Sequence, residues 1–198
     1  MFDARLRKSV DPIVDRLGRI IAGTGVSANV LTITGALLVV PLAAALSFHM
    51  WWAALALIAG NRLCDGLDGA VARLRGPTLW GGYLDSLCDY LFYVGVPIGF
   101  ALAVPANALP GLLLVASFTL TAVSFLAIAA IAAGRDMGHA PKAFTYTSGL
   151  MEGGETIVFF VVMCLFPSSF PLLAMLFAAL CLVTVLQRAA MAWRLTRS

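Results

Sequence analysis

The sequence predicts an all-α, polytopic membrane protein, with six transmembrane helices preceded by an N-terminal amphipathic interfacial helix. Three observations predict it. Of 198 residues, 61% are hydrophobic and 12% charged, with a mean hydropathy of +0.96, which is too apolar for a soluble domain of this length. Six apolar stretches can be drawn at 29–48, 51–74, 81–104, 110–134, 151–167 and 170–193, each near the ~20 residues a bilayer-spanning helix needs. Threaded alternately, they bring all thirteen Lys and Arg residues and all ten acidic residues to one side. By the positive-inside rule that side, with both termini, is cytoplasmic.

Each element has its own signal. Residues 3–22 mix Arg5, Arg7, Lys8, Asp11, Asp15, Arg16 and Arg19 with Leu6, Val10, Ile13, Val14, Leu17 and Ile20. That pattern predicts a retained amphipathic helix on the membrane surface rather than a cleaved signal peptide. Residues 1–28 are therefore expected to be a juxtamembrane unit and 29–198 the membrane domain. Turn chemistry separates the spans at His49-Met50, Gly76-Pro77, Pro105 to Pro110, the polar run 135–149, and Pro167-Ser168-Ser169. Glu152, Gly153, Gly154 and Glu155 interrupt the start of the fifth span. His49, Trp51 and Trp52 fall at the far interface, where an aromatic belt accounts for them. The net charge of +3 includes no basic stripe, so nucleic acid is not expected as a partner. Cys64, Cys88, Cys164 and Cys181 form no C-x-x-C pair and read as small buried hydrophobes, with Cys64 and Cys88 packing beside the acidic residues.

The chemistry concentrates between Asp65 and Asp89, in D-G-L-D-G-A-V-A-R-L-R-G-P-T-L-W-G-G-Y-L-D-S-L-C-D. Asp65, Asp68 and Ala72 follow i, i+3, i+7, and Asp85 and Asp89 follow i, i+4, so each helix turns its carboxylates to one face. A short connection makes the two helices antiparallel neighbours and brings the pairs together. Four carboxylates at such range do not all stay ionised unaided. A hard divalent cation such as Mg²⁺, Mn²⁺ or Ca²⁺ resolves the conflict, with room for two ions shared by Asp65 and Asp85. Gly66, Gly69, Ala72, Gly81 and Gly82 leave space for a ligand near the backbone, and Arg73 offers a planar fork to a phosphate or a carboxylate. The plainer alternative is that the aspartates only form salt bridges with Arg62, Arg73 and Arg75.

At these residues the chain resembles the CDP-alcohol phosphotransferase family, whose signature is D-x2-D-G-x2-A-R-x7–8-G-x3-D-x3-D. Asp65, Asp68, Gly69, Ala72, Arg73, Gly81, Asp85 and Asp89 fill every specified position. The run from Gly25 to Thr32 also resembles the family's segment before the first span, with Ala28 where proline is usual. The resemblance covers nearly the whole chain. It implies a homodimeric enzyme of the inner membrane that transfers a phosphatidyl-type group from a CDP-linked lipid donor to an alcohol, releasing CMP. It further implies Asp65, Asp68, Asp85 and Asp89 as ligands of Mg²⁺ or Mn²⁺, two ions in all, with Asp89 also the general base. Asn29, Asp65, Gly69, Ala72, Arg73 and Thr78 are then expected to hold the CDP moiety.

The acceptor must be read from residues 135–156. Arg135 and Lys142 are the cations there, suited either to an acceptor phosphate or to positive-inside loop charge. Glu152 and Glu155, one turn apart, suit polyol hydroxyls or an amino alcohol, or simply an acidic helix N-terminus. A polyol or polyol phosphate, of glycerol 3-phosphate or inositol phosphate type, is the expected acceptor, and an amino alcohol the alternative. A transporter using the same aspartates is the rival class; it predicts charged or broken helices near the midplane and some internal symmetry, whereas the carboxylates here cluster at one interface and no repeat is evident.

Overall fold

A computed structural model describes residues 2–135 and 153–197, and these are helical almost throughout, without strands. The helices are α1 (Phe2–Gly23), α2 (Ala28–Leu37), α3 (Val39–Ser47), α4 (Trp51–Arg75), α5 (Leu79–Ala103), α6 (Ala108–Arg135), α7 (Gly153–Leu165) and α8 (Phe170–Arg197). Single 3₁₀ turns at Pro105–Asn107 and Pro167–Ser169 lead into α6 and α8.

The expected first span is two helices, α2 and α3, meeting at Leu38. Pro41 is the physical reason: it has no N–H to return to the carbonyl four residues back, at Leu37. Four segments are long and apolar enough to cross a membrane: Ala28–Ser47, Leu79–Ala103, Pro105–Ile131 and Pro167–Arg194. Helix α4 matches them in length but carries Arg62, Asp65, Asp68, Arg73 and Arg75. Helix α7 has only 13 described residues.

Packing joins α6 to α8, α3 to α5, α2 to α4, α5 to α6 and α1 to α4. The core is aromatic: Phe100 stacks on Phe170 with centroids 4.4 Å apart, Phe159 on Phe177 at 4.5 Å, and Phe92 meets Phe160 edge-on at 5.6 Å. Small residues allow the close helix approaches. A Cβ on Gly95 would lie 2.3 Å from Val39 Cγ1, and one on Gly18 2.6 Å from Ala70 Cβ. Large apolar side chains such as Leu37, Val40, Leu102, Leu112, Leu172 and Leu186 point out of the bundle, the surface a hydrocarbon solvent accepts.

Trp51 stacks on Phe100 at 5.7 Å, while Trp52 is exposed. Arg188, grouped by sequence with the terminal charges, is buried, donating 2.9 Å to the Thr121 carbonyl with its guanidinium over the Phe125 ring.

Candidate functional site

The site forms where α4 turns into α5. Gly76 ends α4 at φ +94°, a backbone state that L side chains rarely adopt. Thr78 then caps α5, its hydroxyl oxygen accepting from the Gly81 N–H at 3.0 Å. This tight reversal sets α4 and α5 side by side with their carboxylate faces together. One oxygen each from Asp65, Asp68 and Asp85 lies within 4.8 Å of the others. A cleft lined by Thr32, Asn61, Arg62, Cys88 and Asp89 surrounds these three residues.

The four aspartates are held differently. Asp68 is buried, and its Oδ2 accepts a 2.6 Å hydrogen bond from the Thr32 hydroxyl on α2. Asp89 stands apart from the set of three: its Oδ1 accepts from Arg62 Nη2 at 3.0 Å. Arg62 also reaches Asp65 Oδ2, at 3.5 Å. Asp65, Asp68 and Asp85 thus present converging oxygen donors with little cationic compensation. An all-oxygen anionic donor set of this size fits a hard divalent cation.

The plainer salt-bridge reading holds only at Arg62. Arg73 pairs instead with Asp15 of α1 at 2.9 Å, and its Nη1 would lie 3.4 Å from a Cβ on Gly69. Arg75 donates to the carbonyls of Ala22 (2.6 Å) and Gly25 (3.2 Å), at the open C-terminal end of α1. Both arginines therefore tie α1 to α4.

Other sequence candidates converge as well. A Cβ on Gly81 would sit 3.0 Å from Thr78 Oγ1 and 3.4 Å from Asn29 Oδ1, so α2 and the start of α5 approach closely at this glycine. Ala72 is half-buried on α4. Gly66 does not line this space: a Cβ there would meet Val14 of α1 at 3.5 Å. Cys88 lines the cleft rather than packing away from it. Glu155 lies in the first turn of α7, with a buried Oε2 that accepts no hydrogen bond from the described residues. Lys142, Glu152 and the side chain of Arg135 lie outside the described residues.

Sequence reasoning missed Thr32, Asn61 and Arg62 as site residues. Thr32 stands one turn after Asn29 on the same helix face, and that spacing is the signal that could have found it. Asn61 and Arg62 form a polar pair inside an otherwise apolar half of α4.

The fold and the site define a multi-pass, all-helical membrane protein built around an acidic site of divalent-cation type. The chain belongs to the CDP-alcohol phosphatidyltransferase family, whose model matches residues 25–195. It is therefore a transferase of substituted phosphate groups, in phospholipid synthesis. It is 44% identical to the inner membrane protein YnjF of Escherichia coli K12, over 95% of this chain and 93% of that one. It is 29% identical to the archaetidylinositol phosphate synthase of Pyrococcus horikoshii, over 93% of each. A phosphatidylinositol phosphate synthase of Mycobacterium tuberculosis, solved with CDP-DAG bound, shares the fold: TM-score 0.72 at 22% identity, over 92% of this chain and 94% of that one. The same enzyme with manganese and citrate aligns at TM-score 0.73 and 22% identity, over 91% and 88%.

Proposed function

We propose that the protein transfers a phosphatidyl group from a CDP-linked lipid such as CDP-diacylglycerol to an alcohol, releasing CMP. The acceptor in this reading is a polyol or polyol phosphate, with inositol phosphate first among them. The single observation that carries it is the convergence of Asp65, Asp68 and Asp85 within 4.8 Å beside Asp89 in a family that handles CDP-alcohols. The name of the Pyrococcus relative supports the inositol phosphate assignment.

In this reading Asp65, Asp68 and Asp85, with Asp89 at their edge, hold two Mg²⁺ or Mn²⁺ ions. When bound, the ions supply charge neutralisation for the diphosphate and for departing CMP. Asp89 takes the proton of the acceptor hydroxyl. The hydroxyl oxygen forms a new bond to the phosphorus bearing the lipid, and the bond from that phosphorus to the oxygen bridging to CMP breaks. CMP leaves with that electron pair. Asn29 and Thr78, which meet across Gly81, receive the nucleotide, and Gly69 lets the diphosphate approach α4. Arg73 leaves Asp15 for a donor phosphate; both side chains are about half exposed, so the exchange costs little. Arg135, Lys142, Glu152 and Glu155 are assigned to the acceptor side.

The topology that goes with it has six crossings, with α4 and α7 completing the four apolar ones. Both termini and the site face the cytoplasm of an inner membrane. There the acyl chains of the donor remain in lipid and its nucleotide in water. Residues 1–28 form the interfacial unit, residues 29–198 the catalytic domain, and two copies associate as a homodimer.

The test uses purified protein in lipid nanodiscs with CDP-diacylglycerol, Mg²⁺ or Mn²⁺, and a panel of inositol phosphate, glycerol 3-phosphate, inositol, serine and ethanolamine. CMP release and the mass of the lipid product identify the acceptor, and Asp89→Asn abolishes turnover. CDP binding without CMP release on any acceptor would leave a binding module. A product from serine or ethanolamine alone would move the acceptor to the amino-alcohol class.

A further inference from the structure

Arg62 lies outside the family signature, which begins three residues later at Asp65. A guanidinium packed between helices is costly unless its donors are used, and the placement of Arg62, whose side chain is 15% exposed, is closely determined. Asn61 is buried, and its Nδ2 donates to the Gly35 carbonyl of α2 at 2.8 Å. Its Oδ1 accepts from Arg62 Nε at 2.9 Å and Nη2 at 2.6 Å. The guanidinium lies 4.3 Å over the Phe92 ring of α5, in the range of a cation–π contact. From that seat it makes a short contact to Asp89 Oδ1, 3.0 Å, and a long one to Asp65 Oδ2, 3.5 Å. Among the described residues, Arg62 is the cation that ion-pairs with this aspartate cluster.

We infer that Arg62 is a positioning residue for Asp89, the inference resting on Asp89 as proton acceptor in the proposed transfer. With Nε and Nη2 seated on Asn61, Nη2 pins Oδ1 of Asp89, which sets the direction of the carboxylate and leaves Oδ2 for the acceptor hydroxyl. It also bridges Asp89 to Asp65, which keeps the fourth carboxylate at the edge of the three converging ones. The unequal contacts carry a consequence that a merely structural arginine does not share. Loss of the 3.0 Å contact releases Asp89, so turnover falls. Loss of the 3.5 Å contact frees an oxygen of Asp65 from a competing cation, so divalent binding does not weaken.

The experiment compares wild type, Arg62→Gln, Arg62→Lys and Asp89→Asn in nanodiscs. It measures Mn²⁺ binding by electron paramagnetic resonance and thermal unfolding with and without Mn²⁺. It also measures kcat and KM for CMP release from CDP-diacylglycerol with the acceptor that the panel identifies. Arg62→Gln is expected to lower kcat by roughly 10²-fold, the lower end of what a positioned base contributes. KM for the CDP-lipid should change by less than about threefold and Mn²⁺ affinity should be equal or tighter. Arg62→Lys keeps the charge but not the fork, and is expected to recover less than a tenth of the lost kcat. Wild-type kcat in Arg62→Gln overturns the inference, as does full recovery in Arg62→Lys. Parallel loss of Mn²⁺ binding and turnover, in a variant that still unfolds cooperatively, overturns it in favour of a structural role. A rise confined to acceptor KM overturns it in favour of an acceptor contact. If Asp89→Asn retains turnover, the underlying reading of Asp89 fails instead. If Arg62→Gln does not fold, the Arg62→Lys result decides alone.

Discussion

The hydrogen bond from Thr32 to Asp68 gives a sharp quantitative prediction. The Thr32 hydroxyl has one proton and two acceptors in reach: Asp68 Oδ2 at 2.6 Å and the Ala28 carbonyl at 3.1 Å. The shorter contact, to the Asp68 oxygen, takes it. Both residues are buried, Thr32 at 7% and Asp68 at 6% exposure, so water does not replace a lost bond. With Oδ2 held by Thr32, the proposed metal role of Asp68 depends on an orientation that α2 supplies. Thr32→Val keeps the side-chain shape and deletes the donor. A hydrogen bond to a charged group contributes about 1.5–3 kcal/mol. Outer-shell partners of metal ligands typically account for about 10–100-fold in affinity, which is about 1.4–2.7 kcal/mol. The two routes agree, so Thr32→Val should weaken Mn²⁺ binding about 10- to 100-fold, and Thr32→Ser should stay within about threefold of wild type. Electron paramagnetic resonance titration of Mn²⁺ into the nanodisc-held protein reads both. An Mn²⁺ affinity for Thr32→Val within twofold of wild type would refute the reasoning, because Asp68 would then not depend on α2 for its orientation.

Four further outcomes follow from the same geometry. Gly81→Val places a side chain against Thr78 Oγ1 and Asn29 Oδ1; it should cost more than about tenfold in CDP affinity by calorimetry while leaving Mn²⁺ binding intact. Gly95→Ala puts a Cβ 2.3 Å from Val39 Cγ1 and should destabilise the bundle by about 1–3 kcal/mol, with Val39→Ala in the same chain restoring part of the loss in a thermal melt. Arg75→Ala removes the donors that cover the Ala22 and Gly25 carbonyls; hydrogen exchange in the last turn of α1 should then accelerate about two- to fivefold. Asp85→Asn relieves repulsion among the converging carboxylates, so in chelator it should melt above wild type, while Mn²⁺ no longer raises its melting temperature as it does that of wild type.

Much of the site could be read from the sequence because helical spacing and a tight turn are local. Asp65 and Asp68 share a face by i, i+3, Asp85 and Asp89 by i, i+4, and Gly76-Pro77 between them needs no tertiary information. What could not be read depends on a third helix or on competition between partners. Thr32 reaches Asp68 across 36 positions, a pairing set by the crossing of α2 over α4. The preference of Arg73 for Asp15 over the nearby carboxylates depends on where α1 lies. Arg188 has the composition of a terminal positive-inside charge, and only the partners on α6 show that it is interior. The break at Leu38 was legible in principle from Pro41, but the hydropathy of 29–48 is continuous and hides it.

The glycines and alanines of α4 show how one short motif serves two purposes. Read as a set, Gly66, Gly69 and Ala72 all offered room to a ligand. In the fold, Gly66 and Ala70, one turn apart, face α1, where Val14 and Gly18 pack on them. Arg62 reaches instead to Asp65 and to Asp89 of α5. The helix therefore seats α1 on one side and holds carboxylates on the other, with Arg73 and Arg75 at its end completing the α1 attachment. A larger residue at 66 or 70 would lift α1 and carry Asp15 away from Arg73 without touching an aspartate. Such a variant separates two roles that the signature superimposes. Gly66→Val should loosen α1, seen as faster hydrogen exchange over residues 12–23, and leave Mn²⁺ affinity within about threefold of wild type. A large loss of Mn²⁺ binding in that variant would mean that α1 and the carboxylate face are one cooperative unit, contrary to the two-sided reading of α4.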